Sequence, residues 1–344
     1  MRDLTVLITA AGNVFMPGTT ACIRNNGERN IRLIGADMND DKTMLEMVDA
    51  YYPVPRGDDP RYVEVLLEIC EKEHVDVVLP IMSVELNALA KNRARFERIG
   101  TRVSVSEREA LRIANNKLLL LDFMAEQGLP CAKYFRVSTL EELENASRAL
   151  GYPQLPVCVK LTQCSGSRGF RILDESKSRY ELFLHEKPTS CYASLGDFAE
   201  MFRNNPMPEM LVMEYLPGAE YTVDLLADQG KVLYNCCRKS LRMENSIMLD
   251  SVIVDNRQVL NLCAAVTEKL KLDGNIGFDV RERADGTPVI MECNPRITAG
   301  IPAFASAGVN LPYLCIKKLL GEPLPEVQLQ FGSIMRRRWM EMYC

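Results

Sequence analysis

The chain has 344 residues, 47% of them apolar and 25% charged, with a formal net charge of −5. That composition belongs to a soluble globular protein with room for two or three compact units. It gives no electrostatic reason to expect nucleic acid or an anionic membrane as a partner, and no apolar run approaches the roughly 20 residues of a membrane span.

The amino terminus, Met1-Arg2-Asp3-Leu4-Thr5-Val6-Leu7-Ile8, enters a strand directly and shows no signal-peptide cleavage pattern. The next hundred residues alternate strand and helix. Strands are expected at Leu4–Thr9, Ile31–Asp37, Val75–Pro80 and Val103–Ser104, with helices around Thr19–Asn26, Tyr62–Glu73 and Ser83–Ile99. That order implies a parallel, doubly wound sheet. The turn after the first strand is Ala-Ala-Gly-Asn-Val-Phe-Met-Pro-Gly, not Gly-x-Gly-x-x-Gly. Without those glycines the backbone has little freedom to approach a pyrophosphate, which argues against NAD.

A helix is expected over Ser106–Gly128 and a new unit after Gly128-Leu129-Pro130. A helix opens at Thr139-Leu140-Glu141-Glu142, and strands follow at Val157–Leu161 and Gly169–Ile172. The first of these brings Lys160 to the end of a buried strand. Between them lies Gln163-Cys164-Ser165-Gly166-Ser167-Arg168, whose small residues suit a loop that folds over phosphates. Lys160 offers a point charge for phosphate oxygens. This is not a Walker A loop, because no helix follows. A polar stretch, Glu186–Met210, surrounds a short helix at Ser194–Phe202. Strands then resume at Leu211–Tyr215, Glu220–Ala227 and Val232–Cys237, and a helix spans Asn256–Leu270.

Gly277-Phe278-Asp279-Val280 and Pro288-Val289-Ile290-Met291-Glu292 flank Asp285-Gly286, a strong hairpin signal. Pairing brings Asp279 near Glu292, and Asn294 shares a face with Glu292 because strand side chains alternate. Two carboxylates and an amide oxygen make an all-oxygen site suited to Mg²⁺, and Arg296 points a fixed charge at the same place. A helix at Ala303–Leu320 and a strand at Ser333–Met340 close the chain. The twelve cysteines are scattered and include no Cys-x-x-Cys or zinc spacing. Cys158, Cys263 and Cys315 sit in apolar runs and read as small hydrophobes. The vicinal pair Cys236-Cys237 lies in a strand. The default is a reduced, cytoplasmic protein.

Glu292-Cys293-Asn294-Pro295-Arg296 after an apolar strand, with Asp279 thirteen residues before Glu292, resembles the metal-binding end of the ATP-grasp superfamily. The resemblance is to proteins similar to one half of the carbamoyl-phosphate synthase large subunit. It covers nearly the whole chain. It implies an α/β and α+β fold: a Rossmann-like (pre-ATP-grasp) domain over 1–105, then a two-lobed ATP-grasp domain over 106–325. The small lobe would run from about 130 to 212, the large lobe from about 213 to 325, and a closing strand segment from 326 to 344. Lys117 falls where the family carries its first ATP-binding lysine, and Ser165, Gly166, Ser167 and Gly169 fall in its phosphate-covering loop. Met213-Glu214-Tyr215-Leu216 resembles the adenine hinge. Glu214 would take the adenine amino group, Tyr215 and Leu216 would offer backbone groups, and Glu220 would hold the ribose hydroxyls.

The resemblance implies ATP and Mg²⁺ (or Mn²⁺) as cofactors, with Asp279, Glu292 and Asn294 as metal ligands. Lys160 and Arg296 would neutralise the charge that develops during phosphoryl transfer. Arg238 and Arg242 either hold a substrate carboxylate or face solvent at a strand end. Three readings compete. One is a ligase joining a small-molecule carboxylate to an amine through an acylphosphate, releasing ADP and phosphate. The second is a carbamoyl-phosphate synthase-like component that phosphorylates bicarbonate or carbamate. The third is a non-catalytic ATP-binding protein. Gly277 stands where the synthases carry glutamine, which favours the first reading over the second. Dimers are common among such relatives, so a homodimer is compatible with the resemblance.

Overall fold

The computed structural model describes residues 1–40, 43, 46–162, 169–187, 190–244 and 247–338. Its first part is β1 (Leu4–Thr9), α1 (Met16–Arg24), β2 (Ile31–Asp37), β3 (Ala50–Pro53), α2 (Tyr62–Glu73), β4 (Val77–Leu79), α3 (Ser83–Arg98) and β5 (Arg102–Val103). The strands form one parallel sheet in the order β3-β2-β1-β4-β5. Both faces are covered, so β1 reads as a continuous apolar run. Val6 and Ile8 enter one core and Leu7 enters the other. Strand β3 has only four residues and ends in proline, too short to show a period. Its pairing with β2 is what defines it.

The expected single helix over Ser106–Gly128 is two helices, α4 (Arg108–Ala114) and α5 (Lys117–Glu126). Asn116 causes the break. Its backbone is extended, and its side chain accepts from the Leu118 and Leu119 N–H groups, capping the second helix. The cap places Lys117 at the first turn of α5.

The second sheet contains β6 (Tyr134–Val137), β7 (Val157–Leu161), β8 (Arg171–Leu173), β9 (Tyr192–Ala193) and β10 (Met210–Glu214), with α6 (Leu140–Ala149), α7 (Arg179–His185) and α8 (Leu195–Phe202) between them. The order is β6-β10-β7-β8-β9. Alternation sorts the strands cleanly. Val157, Val159, Met210 and Val212 pack beneath α6 and α8. Cys158, Leu211 and Met213 face the other way, toward α5 and the third sheet.

The third sheet holds β11 (Glu220–Asp228), β12 (Lys231–Glu244), β13 (Ile247–Val254), β14 (Gly274–Glu282), β15 (Pro288–Asn294) and β16 (Ile334–Arg336), in the order β15-β14-β11-β12-β13-β16. Helix α9 (Arg257–Leu270) covers one face, where it packs with Val223, Leu225, Phe278 and Val280. The expected helix over Ala303–Leu320 is also two, α10 (Pro302–Ser306) and α11 (Leu311–Leu319). Asn310 caps the second, and Pro312 at its start has no N–H to continue a helix from upstream. These two helices fill the space between the first sheet and the third. Phe304, Leu311 and Ile316 share one core with Val6, Ile8, Leu226 and Ile253. The first sheet is therefore fixed against the third, with its loops at the rim of a cleft.

Candidate functional site

The site is built on the face of the third sheet opposite α9. Strand β14 pairs with β15 so that Asp279 lies directly opposite Glu292 and Gly277 opposite Asn294. A register shift after Asp279 leaves Met291 as an extra residue on β15, which keeps Glu292 and Asn294 on the Asp279 face. On the other side of β14, Thr222 of β11 lies opposite Asp279, and Arg238 of β12 lies opposite Thr222. One row across four strands therefore reads Arg238, Thr222, Asp279, Glu292.

Burial holds the Asp279 carboxyl up at about 7, helped by the nearby charges of Glu292 and Glu220. Thr222 Oγ1 donates to Asp279 at 3.3 Å. Lys117 Nζ donates to Glu292 Oε1 at 2.9 Å, and Arg296 Nη2 donates to Asn294 Oδ1 at 3.0 Å. Two carboxylates facing each other on a buried sheet face are a standing repulsion that a cation would relieve. Among the described residues there is no cluster of three or more His, Cys, Asp or Glu arranged to hold a metal. Two carboxylates and one amide are thus the donor set, which fits an ion that completes its shell with phosphate oxygens and water.

Two cavities meet at this row. The first, of about 460 Å³, is lined by Lys117, Lys160, Tyr215, Leu216, Glu220, Asp279 and Glu292, among others. Lys160 lies 5.6 Å from the Phe170 ring centroid, and burial holds its ammonium below the usual lysine range. Glu220 is paired with Arg281 at 3.2 Å. Gly169, where the chain returns from the expected phosphate loop, has φ +69°. A Cβ there would lie 2.6 Å from Leu161, so glycine is required twice over. Ser165, Gly166 and Ser167 lie outside the described residues.

The second cavity, of about 500 Å³, shares Glu220, Met243 and Asp279 with the first and adds Asn294, Arg296 and Arg238. Its far wall comes from the first sheet's loops through Asn13, Phe15, Ile81 and Met82. Arg296 is fixed by Ser83 Oγ and by the Ile297 carbonyl, and burial lowers its pKa. Arg238 is only 5% exposed. It is seated against Gly300, where a Cβ would fall 1.7 Å from Nη2.

One placement, that of Glu214, differs from the sequence-based expectation, and Arg242 takes the solvent-facing alternative. The Glu214 carboxylate does not line the first cavity. It accepts from Arg283 at 2.7 Å and from the Lys133 N–H at 2.8 Å, so only its backbone adjoins the hinge. Arg242 is exposed, pairs with Asp250 at 2.9 Å and lines neither cavity. Its strand bulges twice between Ser240 and Met243, which turns it away from the Arg238 face. Sequence reasoning passed over Asp224, which is fully buried. Its Oδ1 accepts from Thr298 Oγ1 at 2.6 Å, and burial raises its pKa. The signal was available: Glu220, Thr222 and Asp224 alternate with Tyr221, Val223 and Leu225, a polar face inside an otherwise buried strand. Cys236 and Cys237 are both buried with their thiols pushed up by burial, and all the described cysteines are free.

A parallel α/β domain joined to two lobes that clasp a lysine-lined cleft above an acidic hairpin is the ATP-grasp architecture. Residues 206–342 match the family described as ATP-grasp in the biosynthetic pathway with Ter operon, and residues 6–104 match the PylC-like N-terminal domain. The chain thus carries an ATP-grasp domain and a PylC-like amino-terminal domain. It is 26% identical over 357 residues to the carbamoyl phosphate synthase large chain of Clavibacter michiganensis, an alignment covering 94% of this chain and 29% of that protein. The chain thus spans about three-tenths of the length of that relative. Two solved structures share the fold. One is the biotin carboxylase domain of Hydrogenobacter thermophilus 2-oxoglutarate carboxylase, in complex with MgADP, ADP and bicarbonate. It has a TM-score of 0.67 at 16% identity, covering 96% of this chain and 73% of that one. The other is an L-amino acid ligase from Bacillus licheniformis, with a TM-score of 0.64 at 17% identity, covering 94% and 76%. Among the described residues no helix is long and apolar enough to cross a membrane.

Proposed function

We propose that the protein is an ATP-dependent ligase that activates a small-molecule carboxylate as an acylphosphate and joins it to an amine, releasing ADP and phosphate. The observation that carries this reading is the shared wall. Asp279 and Glu220 border a lysine-lined cavity on one side and an arginine-lined cavity on the other. A nucleotide in the first would present its terminal phosphate to an acid in the second.

Lys117 and Lys160 would bind the phosphates. Tyr215 and Leu216 would border the base, and Glu220 would take the ribose hydroxyls. Asp279, Glu292 and Asn294 would hold Mg²⁺, which supplies charge neutralisation on the terminal phosphates. Arg296, anchored by Ser83 and Ile297, would hold the reacting carboxylate in line. Lys117 would leave Glu292 as the ion enters. Support for ATP and Mg²⁺ comes from the MgADP in the biotin carboxylase relative. The amino-acid ligase of the same fold supports the ligase reading.

The second reading, phosphorylation of bicarbonate or carbamate, is favoured by the likeness to carbamoyl phosphate synthase. Gly277, which lies opposite Asn294 and stands where the synthases carry glutamine, weighs against it. Hydroxylamine trapping tests the choice. An organic acid that gives a hydroxamate and ADP without added bicarbonate supports the ligase. Bicarbonate-dependent ADP formation with no organic acid reverses the ranking, and AMP as product defeats both.

A further inference from the structure

The second cavity holds more positive charge than one carboxylate requires. Arg296 lies at its inner end beside Asn294 and Asp279. Arg238 and Arg337 lie farther along. On the sheet, Arg238 is two strands from Asp279, roughly 10 Å between backbones at the usual strand spacing. Arg337 follows β16 and reaches the same space by a different route. Its Nη2 donates to the Ala299 carbonyl at 2.8 Å, and its guanidinium lies 4.6 Å from the Phe15 ring centroid.

The arginines are poorly compensated. Arg238 is nine-tenths buried and lines the cavity, yet its Nε and Nη1 have no hydrogen-bond partner. A buried guanidinium with two idle donors is costly unless something arrives to accept from them. Asp224 beneath the cavity can balance one of the three arginines. Asp279 is committed to the metal row, and Glu220 is already paired with Arg281. Glu292, Asp279 and Glu85 act on Arg296, whereas no carboxylate among the described residues offsets Arg337, so positive charge remains at the Arg238–Arg337 end. Burial, and then the neighbouring Arg238 charge, hold the Arg337 pKa below the usual arginine range. The wall of this cavity is mixed, with Thr19, Thr222 and Thr298 beside Phe15, Met16, Ile81 and Met248.

We propose that Arg238 and Arg337 form a subsite for a second anionic group, so that the acid this protein takes is a dianion. The proposal rests on the ligase reading for the identity of the first anion, which sits at Arg296. It assigns Arg337 a part in specificity. Arg337 would donate to the distal carboxylate, with the Arg238 charge beside the same group.

The test compares succinate, glutarate and adipate with the matched monoacids butyrate, valerate and hexanoate. The first readout is direct binding by calorimetry to the protein with saturating MgADP, and the second is acid-dependent ADP release. The expected result is that at least one dicarboxylate binds ten-fold or more tightly than its monoacid. In Arg337→Leu that ratio should fall to near one, with part of it recovered in Arg337→Lys. Arg338→Gln, at an exposed residue paired with Asp250, should keep the wild-type ratio. Equal binding of diacid and monoacid by the wild-type protein, or no saturable binding of any diacid, overturns the proposal. So does an unchanged ratio in Arg337→Leu. If that variant fails to fold, the wild-type binding ratio and Arg337→Lys decide. Preferential diacid binding without ADP release would sink the ligase reading and leave the subsite standing.

Discussion

Gly300 lies so close to Arg238 that any side chain there would occupy the guanidinium's place, with Cβ 1.7 Å from Nη2 and 2.0 Å from Cζ. The obstructed atoms are the far end of a flexible side chain, not backbone. Gly300→Ala should therefore fold and re-aim Arg238. The KM for the acid should rise about ten-fold, roughly 1.4 kcal/mol, while nucleotide affinity stays close to wild type. Steady-state kinetics with each substrate varied in turn would check this. An equal rise in the KM for ATP would show that the two cavities are not separable as described.

Lys160 is the group on which the nucleotide assignment is most exposed to test. It lines the first cavity and has no part in the second. Lys160→Ala should weaken nucleotide binding at least ten-fold, about 1.4 kcal/mol or more, with little effect on binding of the acid alone. Glu292→Ala should abolish turnover and retain part of the nucleotide affinity, because the hinge around Tyr215 and Leu216 is untouched. Titration with a fluorescent nucleotide analogue measures both. A Lys160→Ala protein that binds nucleotide like wild type would remove the assignment.

Much of this site was legible in the sequence because it lies on regular strands. Asp279 opposite Glu292 follows from one hairpin signal and a period of two. What escaped detection depends on tertiary contacts. Glu214 is drawn off by Arg283, which is 69 residues away, and the Arg242 side chain is redirected by bulges that no local pattern announces. Arg337 falls in the expected closing strand, but only the pairing of β16 with β13 shows that it reaches the cleft. Both split helices were misread for one reason: apolar periodicity continues across Asn116 and Asn310, while the capping amides end it. The parallel first sheet was legible from the alternation of strand and helix, but the shared core under α10 and α11 was not.

That shared core predicts a stability effect remote from the chemistry. Phe304 is fully buried between the first sheet and the third. Phe304→Ala should destabilise the protein by about 3–5 kcal/mol. Because the residue holds the first sheet's loops against the cleft, acid-dependent activity should fall at temperatures where the protein is still folded. Chemical denaturation followed by circular dichroism gives the first quantity. A loss under about 1 kcal/mol would mean that the two sheets do not rely on this contact.

Asp279 predicts how pH acts on the metal row. Burial and the neighbouring Glu292 and Glu220 hold its carboxyl at about 7 in the metal-free protein, against about 3.9 for an unfolded chain. Between those values the folded protein keeps a proton that the unfolded chain has released. The metal-free fold therefore loses stability as pH rises from about 4 to about 7, and the shift is complete above that. A divalent ion needs the carboxylate, so binding must expel the proton below pH 7. The affinity for Mg²⁺-nucleotide should fall as pH drops below 7, by as much as ten-fold per unit, and level off above it. Calorimetry in two buffers of different ionisation enthalpy should register about one proton released per ion bound at pH 6 and almost none at pH 8.5. Asp279→Asn should remove both the proton release and the pH dependence while weakening the metal at every pH. A wild-type affinity that is flat from pH 5.5 to 8.5 would show that Asp279 is ionised throughout and that the repulsion across β14 and β15 is relieved without a cation.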